Sequence, residues 1–118
     1  MKTMIKKNGD TIVVKMDGKL DFETCVPLRE DLSKLLDQTT SEKTVRKIIF
    51  NLENLDFVGS SGISSFIQAL KEFNETSPTK PRYCHVKNEF RRIIKAFDEE
   101  ELFEFHENED RAKKSYDQ

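Results

Sequence analysis

The sequence predicts an α/β fold, a small mixed β-sheet with helices packed on one side. Two observations carry that prediction. Short β-branched runs alternate along the chain with stretches of helical spacing, the pattern of a layered α/β unit. The chain is 118 residues long, without internal repeat or low-complexity linker, which suits a single domain spanning 1–118.

Residues 11–16, "TIVVKM", place Ile12, Val14 and Met16 on one face of a strand. The Asn8-Gly9 pair before it marks a hairpin turn, and "MKTMIKK" is the strand that pairs across it. Leu28, Leu32, Leu35 and Leu36 recur at i, i+4, i+7 and i+8, which predicts a helix over about 23–37. Pro27 sits near its first turn, where a missing N–H does little harm. "QTTSEKT" is polar and reads as a loop. "VRKIIFNL" is an apolar, β-branched run that suits a strand buried on both faces.

After Ser61, the residues Ile63, Phe66, Ile67, Leu70 and Phe73 trace one helical face. "NETSPTKP" reads as the loop that ends this helix, and "RYCHVK" is strand-like. Asn88 suits an N-cap, ahead of Phe90, Ile93, Ile94 and Phe97 at helical spacing. "LFEF" suggests a short edge strand. The stretch at about 107–118 is polar and reads as a surface helix at most.

Composition narrows the function. The formal net charge is −2 and no dense Lys/Arg run occurs, which argues against nucleic acid as a partner. The amino terminus is too polar for a signal peptide, and no window approaches the roughly 18 apolar residues of a membrane span. The expectation is a soluble, cytoplasmic protein without membrane insertion. Cys25 and Cys84 form no C-x-x-C pair and read as reduced thiols in such a compartment.

The stretch "GSSG", Gly59 to Gly62, joins a strand-like segment to a helix. A nucleophile elbow needs glycine two residues before and after its serine, and neither Ser60 nor Ser61 has both. His85 and His106 are the only histidines, and neither has a carboxylate orienter evident in sequence. A Walker-type loop needs Gly-Lys-Ser/Thr, whereas Ile63 follows Gly62. The three-glycine dinucleotide pattern is absent. The acidic run at 98–101 lacks the alternating ligands of a calcium loop. No catalytic residue, metal or cofactor is expected. Capping explains one serine at a helix start but requires neither the second nor Gly62.

"LDFVGSSGISSF" resembles the signature of the STAS domain family, the anti-sigma factor antagonists. "GKLDFETCVPLREDL" is similar to the family's first-helix region, and "NEFRRIIKAFDEEELFEF" to its third helix and the element after it. The resemblance spans about residues 10–106. It implies a regulatory binding module that is not an enzyme. The unphosphorylated domain would bind a serine kinase that also acts as an anti-sigma factor. Phosphorylation would release it, and a serine phosphatase would reset it. Carried onto this chain, the phosphoacceptor is Ser60. Ser61 and Gly62 fill the next two motif positions, and Asp21 matches an aspartate near the same surface.

Gly59 departs from the pattern, since the family usually has Asp there. That removes one negative charge beside a helix N-terminus, an electropositive place. The alternative implied by the family is a constitutive scaffold or subunit of a transporter or signalling assembly, with Ser60 only a cap.

Overall fold

The computed structural model describes residues 2–116 except 21, 22, 24, 42–44, 58–60, 78 and 98–102. Along the chain run β1 (Lys2–Asn8), β2 (Thr11–Leu20), α1 (Cys25–Ser41), β3 (Lys47–Phe57) and α2 (Ser61–Thr76). Then come β4 (Arg82–Cys84), α3 (Asn88–Phe97), β5 (Glu104–His106) and α4 (Glu109–Ser115).

The five strands form one sheet in the order β1-β2-β3-β4-β5. β1 and β2 are an antiparallel hairpin, and every later neighbour pair is parallel. The hairpin loop is Gly9-Asp10, one residue later than the Asn8-Gly9 signal, because Asn8 pairs with Thr11. Gly9 has φ +63°, the left-handed value that a primed hairpin turn demands at its first central residue. Parallel neighbours need crossovers, and α1, α2 and α3 supply them.

The main core lies between one sheet face and these helices. Ile12, Val14 and Met16 of β2 and Ile48, Phe50 and Leu52 of β3 meet Leu28, Leu32 and Leu35 of α1 and Phe66, Ile67, Leu70 and Phe73 of α2. Phe50 stacks on Tyr83 at 5.1 Å and meets Phe73 edge-on at 5.4 Å, the offset and T-shaped geometries aromatic rings favour. The opposite sheet face is covered in part by α4, whose Ala112 packs with Val13, Ile49 and Cys84. The polar carboxy-terminal stretch is therefore the second layer's seal, as well as a surface.

Several boundaries differ from the sequence reading. α1 runs on through 38–41, part of the expected loop, since neither Gly nor Pro interrupts it after Pro27 and an established helix extends at little cost. α2 likewise takes in Asn74, Glu75 and Thr76. Asn88 is the first helical residue of α3, and the carbonyl of Lys87 accepts from the Arg91 N–H, so Lys87 holds the capping place. β4 is only three residues long because His85 turns the chain at φ +54°.

Candidate functional site

The site lies at the carboxy-terminal end of the central parallel strands. β2 ends at Leu20 and β3 at Phe57, and these two residues are register partners. In sequence, Asp21 follows Leu20 and the Gly59-Ser60 segment follows Phe57, and those two strand ends lie side by side, about 5 Å apart. α2 begins at Ser61, so its N-terminal N–H groups, which have no partner inside the helix, stand at this end too.

A β-bulge sets the phase of the strand that leads there. Lys15 pairs with Asn51 but Asp17 pairs with Asn54, so β3 carries one extra residue. Leu52 and Leu55 are both in the main core although they stand three positions apart. Strict alternation would send one of them to the opposite face. The Asn51 side chain holds the bulge. Its Oδ1 accepts from the Glu53 N–H at 3.0 Å, and its Nδ2 donates to Glu109 Oε2 of α4 at 3.1 Å.

Past the bulge, Asp56 pairs with Lys19 of β2, and its carboxylate accepts from Lys87 Nζ at 2.5 Å. The hydrogen bond from Lys87 and its charge, with Lys19 adding, hold the Asp56 carboxyl below the usual aspartate value. Leu55, Asp56, Lys87, Glu89 and Phe90 line an open recess of about 410 Å³. Charged groups rim this end of the sheet, with apolar surface beneath them, an arrangement suited to docking.

Of the predicted site residues, Ser61 and Gly62 open α2, while Asp21, Gly59 and Ser60 lie outside the described residues, as does the acidic run at 98–101. The sequence reading passed over Asp56, Lys87 and Asn51. Asp56 stands within the quoted motif, but nothing local links it to Lys87, which arrives from the end of β4. Among the described residues, no group of three or more His, Cys, Asp or Glu is placed to hold a metal. His106 pairs with Cys84, two strands from β3, and burial lowers its pKa. Among those residues, too, no helix is long and apolar enough to cross a membrane.

The family model for the STAS domain matches residues 2–112. The chain belongs to the STAS domain family. It is 33% identical over 63 residues to an anti-sigma F factor antagonist of Lysinibacillus sphaericus, covering 53% of this chain and 50% of that protein. The chain thus spans about half the length of that relative. It is 27% identical over 75 residues to MlaB, the intermembrane phospholipid transport system binding protein of Haemophilus influenzae, covering 64% of this chain and 70% of that one. In fold it matches the phosphorylated form of the Bacillus cell fate determinant SpoIIAA with a TM-score of 0.63, at 19% identity over 97% of this chain and 98% of that one.

The STAS assignment accords with the expected α/β architecture, a mixed sheet with α1, α2 and α3 on one side. α4 lies on the second face. The Tyr116 hydroxyl that follows α4 donates to the Ile48 carbonyl at 2.9 Å, and Arg82 stacks over the Tyr116 ring at 4.3 Å. In this STAS domain the strand that leads to the serines is therefore braced from behind.

Proposed function

We propose that this protein is a non-catalytic, cytoplasmic anti-sigma factor antagonist that acts by partner switching. Unphosphorylated, it binds a serine kinase that is also an anti-sigma factor, through the surface around Asp21, Gly59, Ser61 and Gly62. Phosphorylation of Ser60 ends the binding, and a serine phosphatase restores it. The observation that supports this best is the pairing of Leu20 with Phe57. It sets side by side the strand ends that the two implicated segments follow in sequence.

The chemistry agrees. A phosphate adds about −1.5 to −2 charge and strong acceptors. Beside a helix N-terminus the fold tolerates it, because backbone N–H groups point outward there. A neutral, close-packed partner surface does not, since burying the phosphate without a cation is costly. The modification therefore acts on docking rather than on folding. The similarity to an anti-sigma F factor antagonist supports the same reading.

Incubation with the cognate kinase and ATP, followed by mass spectrometry, is expected to find phosphate on Ser60. Phosphate on Ser61 with none on Ser60 overturns the assignment. Ser60→Asp is expected to weaken kinase binding in calorimetric titration while shifting stability by no more than about 1 kcal/mol.

A second reading is a constitutive STAS subunit of a transport or signalling assembly. Two observations favour it: the similarity to a phospholipid transport binding protein, and Gly59 in the usual Asp position. Unaltered partner affinity in Ser60→Asp would support this reading over partner switching.

A further inference from the structure

We propose that β1 is an interface with a second copy of this chain, the two β1 strands pairing antiparallel about a two-fold axis that passes beside Ile5. β1 is a sheet edge, and at seven residues it is longer than the three-residue strand β5 at the other edge. The hairpin register decides which backbone groups it offers. Asn8 and Thr11 flank a two-residue loop, so they form a hydrogen-bonded pair, and such pairs alternate along the ladder. Met4 and Lys6 therefore bond β2, whereas Thr3 and Ile5 turn their N–H and C=O groups outward.

The same edge leaves apolar side chains in water. Ile5 lies opposite Val14, on the face that carries the main core, and Met4 lies opposite Lys15 on the other face. They are 44% and 38% exposed. Adjacent apolar residues on an unpaired edge are what a further strand covers.

Charge selects the register of a second copy. Outward-turned residues must face one another, so two copies slide past each other only two residues at a time. With the axis at Ile5, Ile5 faces Ile5, Met4 faces Lys6, Thr3 faces Lys7 and Lys2 faces Asn8 of the second copy. All seven residues are then paired, and no lysine stands directly opposite another. Moving the axis to Met4 sets Lys2 against Lys6, and moving it to Lys6 sets Lys6 against itself, both destabilising. Lysines that hold back edge pairing in general thus leave this register open. In it the two Ile5 side chains meet on the axis, and Met4 lies along the methylene stem of Lys6. Asp17, across the hairpin from Lys2, offsets one charge on that face.

Lys6 stands diagonal to Lys2 and Lys6 of the second copy, at about 7–8 Å, so salt that screens them strengthens the pairing. One strand edge falls short of the roughly 1,200 Å² that a stable complex buries, so the dimer forms at high protein concentration. The antiparallel arrangement points the Leu20–Phe57 ends of the two copies in opposite directions, which keeps both open.

The test uses the full chain in sedimentation equilibrium, where a dimer is expected to build up towards millimolar protein. Lowering the Debye length from about 10 to about 3 Å with salt should tighten it several-fold. Ile5→Pro should weaken it about tenfold or more with the β1–β2 ladder intact, since proline is accepted where an edge N–H faces outward. In a Cys25→Ser background, mild oxidation should cross-link Ile5→Cys, whose Cα atoms lie about 5.5 Å apart across the axis. It should leave Lys6→Cys unlinked, because its diagonal separation exceeds the roughly 7 Å a disulfide can span. A monomer at millimolar concentration in high salt overturns the proposal. So does a dimer that Ile5→Pro leaves unchanged, a dimer that salt weakens, or equal cross-linking of the two cysteine variants. None of these readouts depends on Ser60, so the partner-switching reading stands or falls separately.

Discussion

Leu20 and Phe57 are register partners at the ends of two adjacent parallel strands, and from them the chain enters the segments that carry Asp21 and Ser60. The pair stands thirty-seven positions apart in sequence, with one helix crossing between. The hydrogen-bond ladder removes that separation. It sets the ends of β2 and β3 side by side, and the remaining expectations about this end of the sheet build on it.

Gly59→Asp restores the residue usual in the family and is expected to raise the rate of phosphate transfer to Ser60. A carboxylate there can help the kinase position the acceptor hydroxyl. It also repels the incoming phosphoryl group, but magnesium and cationic groups in a kinase screen that repulsion. Initial rates for wild type and variant at equal kinase and ATP decide the matter. An equal or slower rate would mean Gly59 is matched to its partner.

Asn51→Ala is expected to destabilise the fold by about 1–3 kcal/mol, because it strands the Glu53 N–H at the bulge and removes a tie to α4. Urea unfolding measures the loss. Asn51→Asp separates the two roles. Its carboxylate can still accept from Glu53 but cannot donate to Glu109, and it adds a like charge beside that residue. A stability equal to wild type in both variants would remove Asn51 from its place as the bulge clamp.

The Asp56 carboxyl should titrate below the ordinary aspartate value of 3.8, since Lys87 and Lys19 favour its charged form. Its folded pKa is depressed, so its contribution to stability is present above the unfolded value and is lost as pH falls through the folded one. The window is therefore acidic, below about pH 4. Carbon-detected NMR titration of the side-chain carboxyl reads the midpoint. Lys87→Met should raise it, and an unchanged midpoint would deny the ion pair a role in solution.

The Cys84 thiol is pushed up to about 12, by burial first and then by Glu109 and Glu53. At pH 8 about one molecule in ten thousand then carries the reactive thiolate. In a Cys25→Ser background, Cys84 should react with a disulfide reagent no faster than the protein unfolds. Full labelling of the folded protein within seconds would contradict its burial beneath α4.

Much of the fold is legible in local pattern. Leu28, Leu32 and Leu35 on α1 and Phe66, Ile67, Leu70 and Phe73 on α2 are buried as their spacing predicts. Ile12, Val14 and Met16 alternate into the core as expected. Such patterns are written within a few residues, where helix and strand periods apply directly. The ends of α1 and α2 were less legible, because polar residues extend a helix on its solvent side without any apolar signal.

What the sequence by itself determined is therefore the succession of elements, the faces they bury, and the STAS signature that turns attention to Ser60. Tertiary structure alone decided how those elements register. It set the bulge that brings both Leu52 and Leu55 into the core, joined Asp56 to Lys87 across 31 residues, and tied Asn51 to Glu109 across 58. It also laid α4 over the second face of the sheet. The reason is physical: a pairing between parallel strands depends on the packing of the crossover helices between them. No stretch of neighbouring residues encodes that distance, so the partners of Asp56 and Asn51 emerge only once the sheet has closed on its core.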